Sequence, residues 1–309
     1  MSNILQKIKK GINNPELIVS EINRRGLLRF LSDEQWVRFM YKIKFGKKLN
    51  LENPQTFNEK LSWIKVKYYN PLYTKLADKY EARRYIADKI GEEYLIPLLG
   101  VYDSFDEIDF DKLPDQFVIK CNHDSGGIVI CKDKSKLDIK QARKKIERCL
   151  KRNYYKRSRE WVYRDIKPRI LIEKYMENKN KSGLIDFKFF CFDGTPKFLY
   201  VSEGLENHST AKISFLSMDF RLESFHRKDF KPFNDISEVF KPVNYDKMVE
   251  LARELSVNFP FIRIDFYEIK GNIYFSEFTF FPCSGMLPFE PEEWDKIIGC
   301  WLKLPKIDK

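Results

Sequence analysis

The stretch FIRIDFYEIKGNIYFSEFTFF, residues 261–281, alternates apolar and polar side chains on either side of a Lys-Gly-Asn turn. Alternation with period two marks strands, and a glycine between two of them marks a hairpin, so two strands joined near Gly271 are expected. Side chains two apart on a strand share a face. Arg263 and Asp265 should therefore point together, as should Glu277 and Thr279 on the partner strand, and both pairs can meet in one cleft. Two carboxylates beside an arginine are the parts of a magnesium–phosphate site, because Mg²⁺ takes oxygen ligands, keeps several waters and uses few protein carboxylates. Arg263 would neutralise charge on a transferring phosphoryl group. A salt-bridged sheet face has the same spacing.

Upstream, PDQFVIKCNHDSGGIVICKD (114–133) reads as a strand over 117–121, a polar glycine loop and a strand over 127–132. Ser125, Gly126 and Gly127 can bring backbone N–H groups close to phosphate, with Lys120 on the strand before them. The loop has neither P-loop nor dinucleotide-fingerprint spacing, and an ordinary hairpin turn would look alike. DFKFFCFDGTPKFLYVSE (186–203) is expected to be a hairpin turning at Asp193 and Gly194, RILIEKYM (169–176) a strand, and 244–256 a helix.

Residues 1–98 read as mainly helical. Ser32 and Gln35 stand in the relation of a capping box, Thr56 opens a second helix, and TKLADKYEARRYIADKIG (74–91) has the periodicity of a third, closed by Gly91. Between Lys136 and Arg159 the chain carries eleven basic residues against two acidic ones. That run reads as a basic amphipathic helix and a charged connection: a patch for an acidic substrate or an anionic membrane surface, or a solvated face.

The chain has 309 residues, 43% apolar and 33% charged, with 56 basic and 45 acidic side chains and a net charge of +11. Such a composition folds, and the surplus suits an anionic partner without choosing one. No apolar run is long enough to span a bilayer, and MSNILQKIKKG at the start has no long apolar stretch behind its lysines, so a cytoplasmic protein is expected. The six cysteines show no close CxxC pair and read as buried thiols rather than zinc ligands. Neither a zinc finger nor another nucleic-acid motif is present, and no specific nucleic acid is expected.

Six segments in order, LADKYEARRYI, YLIPLLGVYDS, FVIKCNHDSGG, ILIEKYM, DFKFFCFDG and RIDFYEIKGNIYFSEFTFFPCSGM, together resemble the TupA-like ATP-grasp family of bacterial surface-polysaccharide loci, over about residues 50–298. The resemblance implies an α+β ATP-grasp fold. Its expected parts are a helical N-terminal region (1–98), a subdomain with the glycine loop (99–176) and a subdomain with the metal-binding hairpin (177–309). It implies ATP and Mg²⁺ as cofactors, with Lys79 and Lys120 on the phosphates. Glu173, Lys174 and Met176 would form the hinge that meets adenine, Asp186 would lie near the ribose, and Lys188 would add a phosphate contact. Arg263 corresponds to the catalytic arginine, Asp265 and Glu277 to the metal carboxylates, and Thr279 replaces the usual asparagine as third ligand. Ser284, with Gly285, would face the acyl phosphate. The implied reaction is ATP-dependent ligation of a carboxylate, carried by an acidic sugar or polysaccharide, to an amine or amino acid; a metal-dependent glycosyltransferase using a nucleotide sugar is the alternative. His123 can donate to phosphate or steady its loop, His208 can approach the substrate, and His226 is expected to be structural.

Overall fold

The computed structural model describes residues 28–124, 126–177, 185–203 and 211–306, together with residues 19, 22, 23 and 26. The helices α1 (Asp33–Phe45), α2 (Phe57–Lys67), α3 (Pro71–Ala77) and α4 (Glu81–Lys89) precede the first strand. Ser32 and Gln35 cap α1 reciprocally, as do Thr56 and Glu59 at α2, which fixes both starts where the side-chain oxygens meet the first free N–H groups. The single helix expected over 74–91 is instead broken into α3 and α4. Asp78 Oδ1 accepts the Tyr80 N–H at 2.8 Å and Asn122 Nδ2 at 2.9 Å, while the Lys79 N–H goes to the Asn122 carbonyl at 3.1 Å, so the helix cannot continue through 78–80.

The first sheet has strands β1 (Leu98–Tyr102), β2 (Phe117–Cys121), β3 (Ile128–Cys131) and β4 (Ile170–Lys174), in the order β1-β4-β2-β3. Helix α5 (Ile139–Leu150) lays Ala142, Ile146 and Cys149 on one face of it, against Phe117, Ile119 and Cys121. Beyond α5, the short helix α6 (Tyr155–Ser158) and the residues after it turn inward. Ser158, Arg159 and Glu160 are buried, so this part is not the charged surface connection that its composition suggests.

The second sheet joins β5 (Asp186–Phe192), β6 (Thr195–Glu203), β7 (Lys212–Ser217), β9 (Ile262–Ile269) and β10 (Asn272–Thr279) in the order β10-β9-β5-β6-β7. Both expected hairpins are present, with paired left-handed residues at Asp193–Gly194 and Lys270–Gly271. One sheet face is apolar and packs Phe187, Phe189, Ile262 and Ile264 with helix α7 (Tyr245–Ser256). The opposite face carries the charged residues. Strands β8 (His226–Arg227) and β11 (Phe289–Glu290) form a small ribbon, and α8 (Glu293–Trp301) packs on α2.

Helices α2 to α4 contribute Phe57, Leu61, Tyr73 and Ile86 to the core under the five-stranded sheet. Trp36, Val37 and Tyr41 of α1 belong to a separate cluster with Met286 from the loop after β10, and Trp63 and Val66 of α2 pack against it. Among the described residues no helix is long and apolar enough to cross a membrane.

Candidate active site

The charged face of the second sheet is built by register. Lys188 on β5 and Glu277 on β10 both pair with Asp265 on the intervening β9, and Arg263 pairs with Thr279. Simple alternation along β10 would put Glu277 on the same face as Phe275, which is buried. Ser276 is bulged out between them, and the extra residue turns Glu277 to the side of Asp265.

Asp265 is completely buried. Its Oδ1 accepts Arg263 Nε at 2.7 Å, and its Oδ2 accepts Arg263 Nη2 at 2.7 Å and Lys188 Nζ at 2.8 Å. Lys188 also reaches Asp186 Oδ2 at 3.1 Å. Glu277 is more open: Oε1 lies 3.2 Å from Arg263 Nη2 and Oε2 lies 3.5 Å from Lys79 Nζ. Burial alone would raise its pKa, but Lys79, Arg263, Lys188 and Lys120 hold it down, at about 2. Burial would lower the pKa of Arg263 and of Lys188, yet their carboxylate neighbours raise both. Glu277, Arg263 and Lys188 are therefore charged at neutral pH.

A cavity of about 230 Å³ opens in front of this cluster, lined by Lys79, Arg263, Glu277 and Thr279. Its wall continues through Ser284 into the inward-turning segment after α5, with Tyr154, Glu160 and Tyr163. Sequence reasoning missed those last three. Glu160 sits at the end of a basic run that reads as solvated, and nothing in that run marks one of its few acids as buried.

Lys120 projects from β2 toward Glu173 on β4, with Nζ 2.7 Å from Oε2, and Arg83 approaches the other oxygen at 3.4 Å. Ile128 and Ile130, on the Lys120 face of β3, stay exposed. The break at 78–80 is what carries Lys79 to the cavity, and Asn122 holds it there. That fully buried side chain also accepts the Arg169 N–H at 2.7 Å and donates to the Lys167 carbonyl at 2.9 Å.

The TupA-like ATPgrasp family model matches residues 59–303. The chain belongs to that family. No curated protein matches it in sequence. Among solved structures, D-alanine–D-alanine ligase from Bacillus anthracis is similar at 16% identity and a TM-score of 0.38, covering 73% of this chain and 59% of that one. The same enzyme from Helicobacter pylori is similar at 13% identity and a TM-score of 0.39, covering 83% and 69%. The ATP-grasp ligase PsnB, solved with a phosphomimetic variant of its minimal precursor, Mg and ADP, has 11% identity, a TM-score of 0.42 and coverage of 78% and 63%. The chain spans less than two thirds of the first and third of these proteins.

For a TupA-like ATP-grasp protein, the placement of the expected residues is uneven. Arg263, Lys188, Asp186, Asp265, Glu277 and Thr279 share one sheet face, and Lys79 joins them from the 78–80 break. Lys120 does not touch this group; its partner is Glu173. The three residues expected to meet adenine are placed differently from one another. Glu173 lies within β4, paired on both sides, and the Lys174 N–H is taken by the Pro97 carbonyl, while Met176 lies past the strand.

Gly127 has a different reason to be glycine from the one its loop suggests. A Cβ there would lie 2.2 Å from Cys149 Sγ and 3.0 Å from Cys121 Sγ, so packing beneath the loop forbids a side chain, whereas Gly126 has room. Ser125 and His208 lie outside the described residues. His123 is buried, with Nε2 3.2 Å from the Arg152 carbonyl and Nδ1 3.2 Å from Asn122 Oδ1, and it also lines the cavity. Of the cysteines, Cys121, Cys131, Cys149 and Cys191 are buried, but Cys283 and Cys300 are exposed, which corrects the expectation for those two.

The residues fit a magnesium nucleotide. Glu277 and Thr279 offer oxygens on the cavity wall between two cations, and Asp186 Oδ1 is buried with no hydrogen-bond partner among the described residues. Among those residues no three His, Cys, Asp or Glu side chains converge on a metal position, so two carboxylates are the most the hairpin supplies. That number suits an ion that completes its shell with water and phosphate oxygens. Asp265 would join it only by giving up part of its contact with Arg263 or Lys188.

Proposed function

We propose that the protein is an ATP-dependent carboxylate–amine ligase that works through an acyl phosphate. One observation carries the reading: Glu277, held anionic, stands with Thr279 on the wall of a cavity between the cations Lys79 and Arg263. Fixed charges aimed at the place where phosphoryl charge moves are what such a transfer requires. Lys79, Arg263 and Lys120 would bind and orient the phosphates, and the exposed Ile128 and Ile130 give an aromatic base an apolar surface to cover. Glu277 and Thr279, with Asp265 behind them, would hold Mg²⁺, which supplies neutralisation of the phosphate oxygens.

The carboxylate substrate would be a uronic acid of a capsule, O-antigen or cell-wall polysaccharide, and the nucleophile an amine or amino acid. Lys140, Lys144, Lys145, Arg148 and Lys151 are exposed on and just after α5, which supports an acidic polymer or the anionic inner face of the membrane as a neighbour. A cytoplasmic location follows from the use of ATP. The test is a product-resolved assay with Mg-ATP, uronic acids and candidate amines. ADP, phosphate and an amide are the expected products; sugar transfer from a nucleotide sugar without ATP cleavage would replace the reading with that of a glycosyltransferase.

A further inference from the structure

Besides Glu277, and Asp124 whose Oδ2 pairs with Arg152, a third carboxylate lines the same cavity. Glu160 is 4% exposed, lies two residues past the end of α6 and lines the cavity with Tyr154, Tyr163 and Ser284. The Ser284 hydroxyl donates to Glu160 Oε1 at 2.8 Å, and Lys65 Nζ, itself buried on α2, donates to the Ser284 carbonyl at 3.1 Å. Burial pushes the Glu160 carboxyl up, and Lys65 and the Ser284 hydroxyl oppose that rise.

The turn that presents Ser284 is strained. Cys283 and Ser284 have φ of 51° and 58°, in the left-handed region that side chains disfavour, ahead of Gly285 at 76°. Packing holds it there: Gly285 faces Leu61 of α2, and Met286 is anchored among Trp36, Val37 and Tyr41. Strain kept in place by surrounding packing is a feature of sites that position a group for function. Here the positioned group is the hydroxyl on Glu160.

We propose that Glu160 and Ser284, walled by Tyr154 and Tyr163, form the subsite for the ammonium head of a primary amine, and that Glu160 takes its proton. An ammonium brings three N–H donors, and this part of the cavity presents a carboxylate and hydroxyl oxygens, where Lys79 and Arg263 present cations. One proton passes from R–NH₃⁺ to the Glu160 carboxylate, and the freed nitrogen lone pair attacks the acyl carbon. The C–N bond forms, the C–O bond to phosphate breaks with its electron pair leaving on phosphate, and the second N–H proton goes to the departing phosphate. The chemical step rests on the ligase reading; the ammonium subsite does not.

The full-length protein and its Glu160→Gln and Ser284→Ala variants, each checked by a melting curve, are titrated with methylamine, glycinamide, L-alaninamide and L-lysine, and with N-acetylglycinamide as a neutral control. At least one amine should bind the parent in ligand-observed NMR, the control should not, and either folded variant should bind that amine about tenfold or more weakly. In parallel, ATP-dependent amide formation is compared with trapping by hydroxylamine, which is uncharged at neutral pH. Glu160→Gln should lower amide formation about 100-fold and hydroxylamine trapping by much less. Amine binding with no ATP-dependent product would sink the ligase reading and leave the subsite standing. No amine bound by the parent, equal binding by parent and variants, or an equal loss of both reactions would overturn the proposal.

Discussion

Asp265 and Glu277 face each other across the β9–β10 ladder, yet only one of them meets solvent. Asp265 is fully buried under Arg263 and Lys188, while Glu277, turned out by the bulge at Ser276, reaches Lys79 and the cavity. Substitution should separate the two roles. Asp265→Asn weakens the anchor of the buried Lys188 and the part-buried Arg263 and should cost about 3 kcal/mol or more of stability. Glu277→Gln, at a half-exposed position, should stay folded with a smaller loss of stability and lose phosphoryl transfer by about 100-fold or more. Thermal melts and single-turnover phosphate transfer read both effects; equal destabilisation by the two would contradict the division.

Asn122 should matter to nucleotide binding without touching the nucleotide. Its side chain ties Asp78 to the entry of β4, and its carbonyl takes the Lys79 N–H. Asn122→Ala leaves several buried groups unpaired, each worth about 1–3 kcal/mol. It should therefore lower stability markedly, and in the folded fraction it should weaken ATP binding as Lys79→Met does. Calorimetric titration of both variants makes the comparison, and parent-like ATP affinity in Asn122→Ala would show that Lys79 needs no such support.

Gly127→Ala should be destabilising for a packing reason. The new Cβ would meet Cys149 Sγ at 2.2 Å and Cys149 Cβ at 2.7 Å. Overpacking of this kind costs about 1–3 kcal/mol. Because the Cβ contact remains in Cys149→Ala, that second change should restore only part of the loss. Urea unfolding of the single and double variants checks this; full rescue would mean that the sulfur alone was in the way.

Lys65 gives a pH dependence with a definite sign. Burial pushes its amine down to about 8, below the value of about 10.4 expected for the unfolded chain. Between those values the unfolded chain binds more protons, so folding gains stability as pH rises through this window and is penalised below it. Lys65→Met lacks the titration. The stability of the parent relative to Lys65→Met should climb by about 2–3 kcal/mol from neutral pH to pH ~10, measured by urea unfolding. A constant gap would mean that Lys65 is solvated in the folded protein.

Much of the β9–β10 hairpin was legible because it is local. Period-two alternation and the Lys270–Gly271 turn fix its strands, and even the bulge leaves a trace: the buried apolar residues Ile273, Phe275, Phe278 and Phe280 are spaced two, three, two. That irregularity at Ser276 went unread. The helix break at 78–80 has no such trace, since its cause is Asn122, far along the chain, and the helical periodicity runs through it unbroken. Glu160 was hidden by composition. A carboxylate among lysines and arginines suggests a surface, and only the inward turn after α5 buries it. Long-range packing, rather than local pattern, decides both positions.

The most direct test of the ligase reading follows oxygen from the carboxylate to phosphate. A uronic acid carrying heavy oxygen in its carboxyl group is incubated with the protein, Mg-ATP and an amine, and the inorganic phosphate is analysed by mass spectrometry. Passage through an acyl phosphate predicts one carboxylate oxygen in each phosphate released, in step with amide formation. Phosphate free of the label, or product formed with no ATP consumed, would contradict the account.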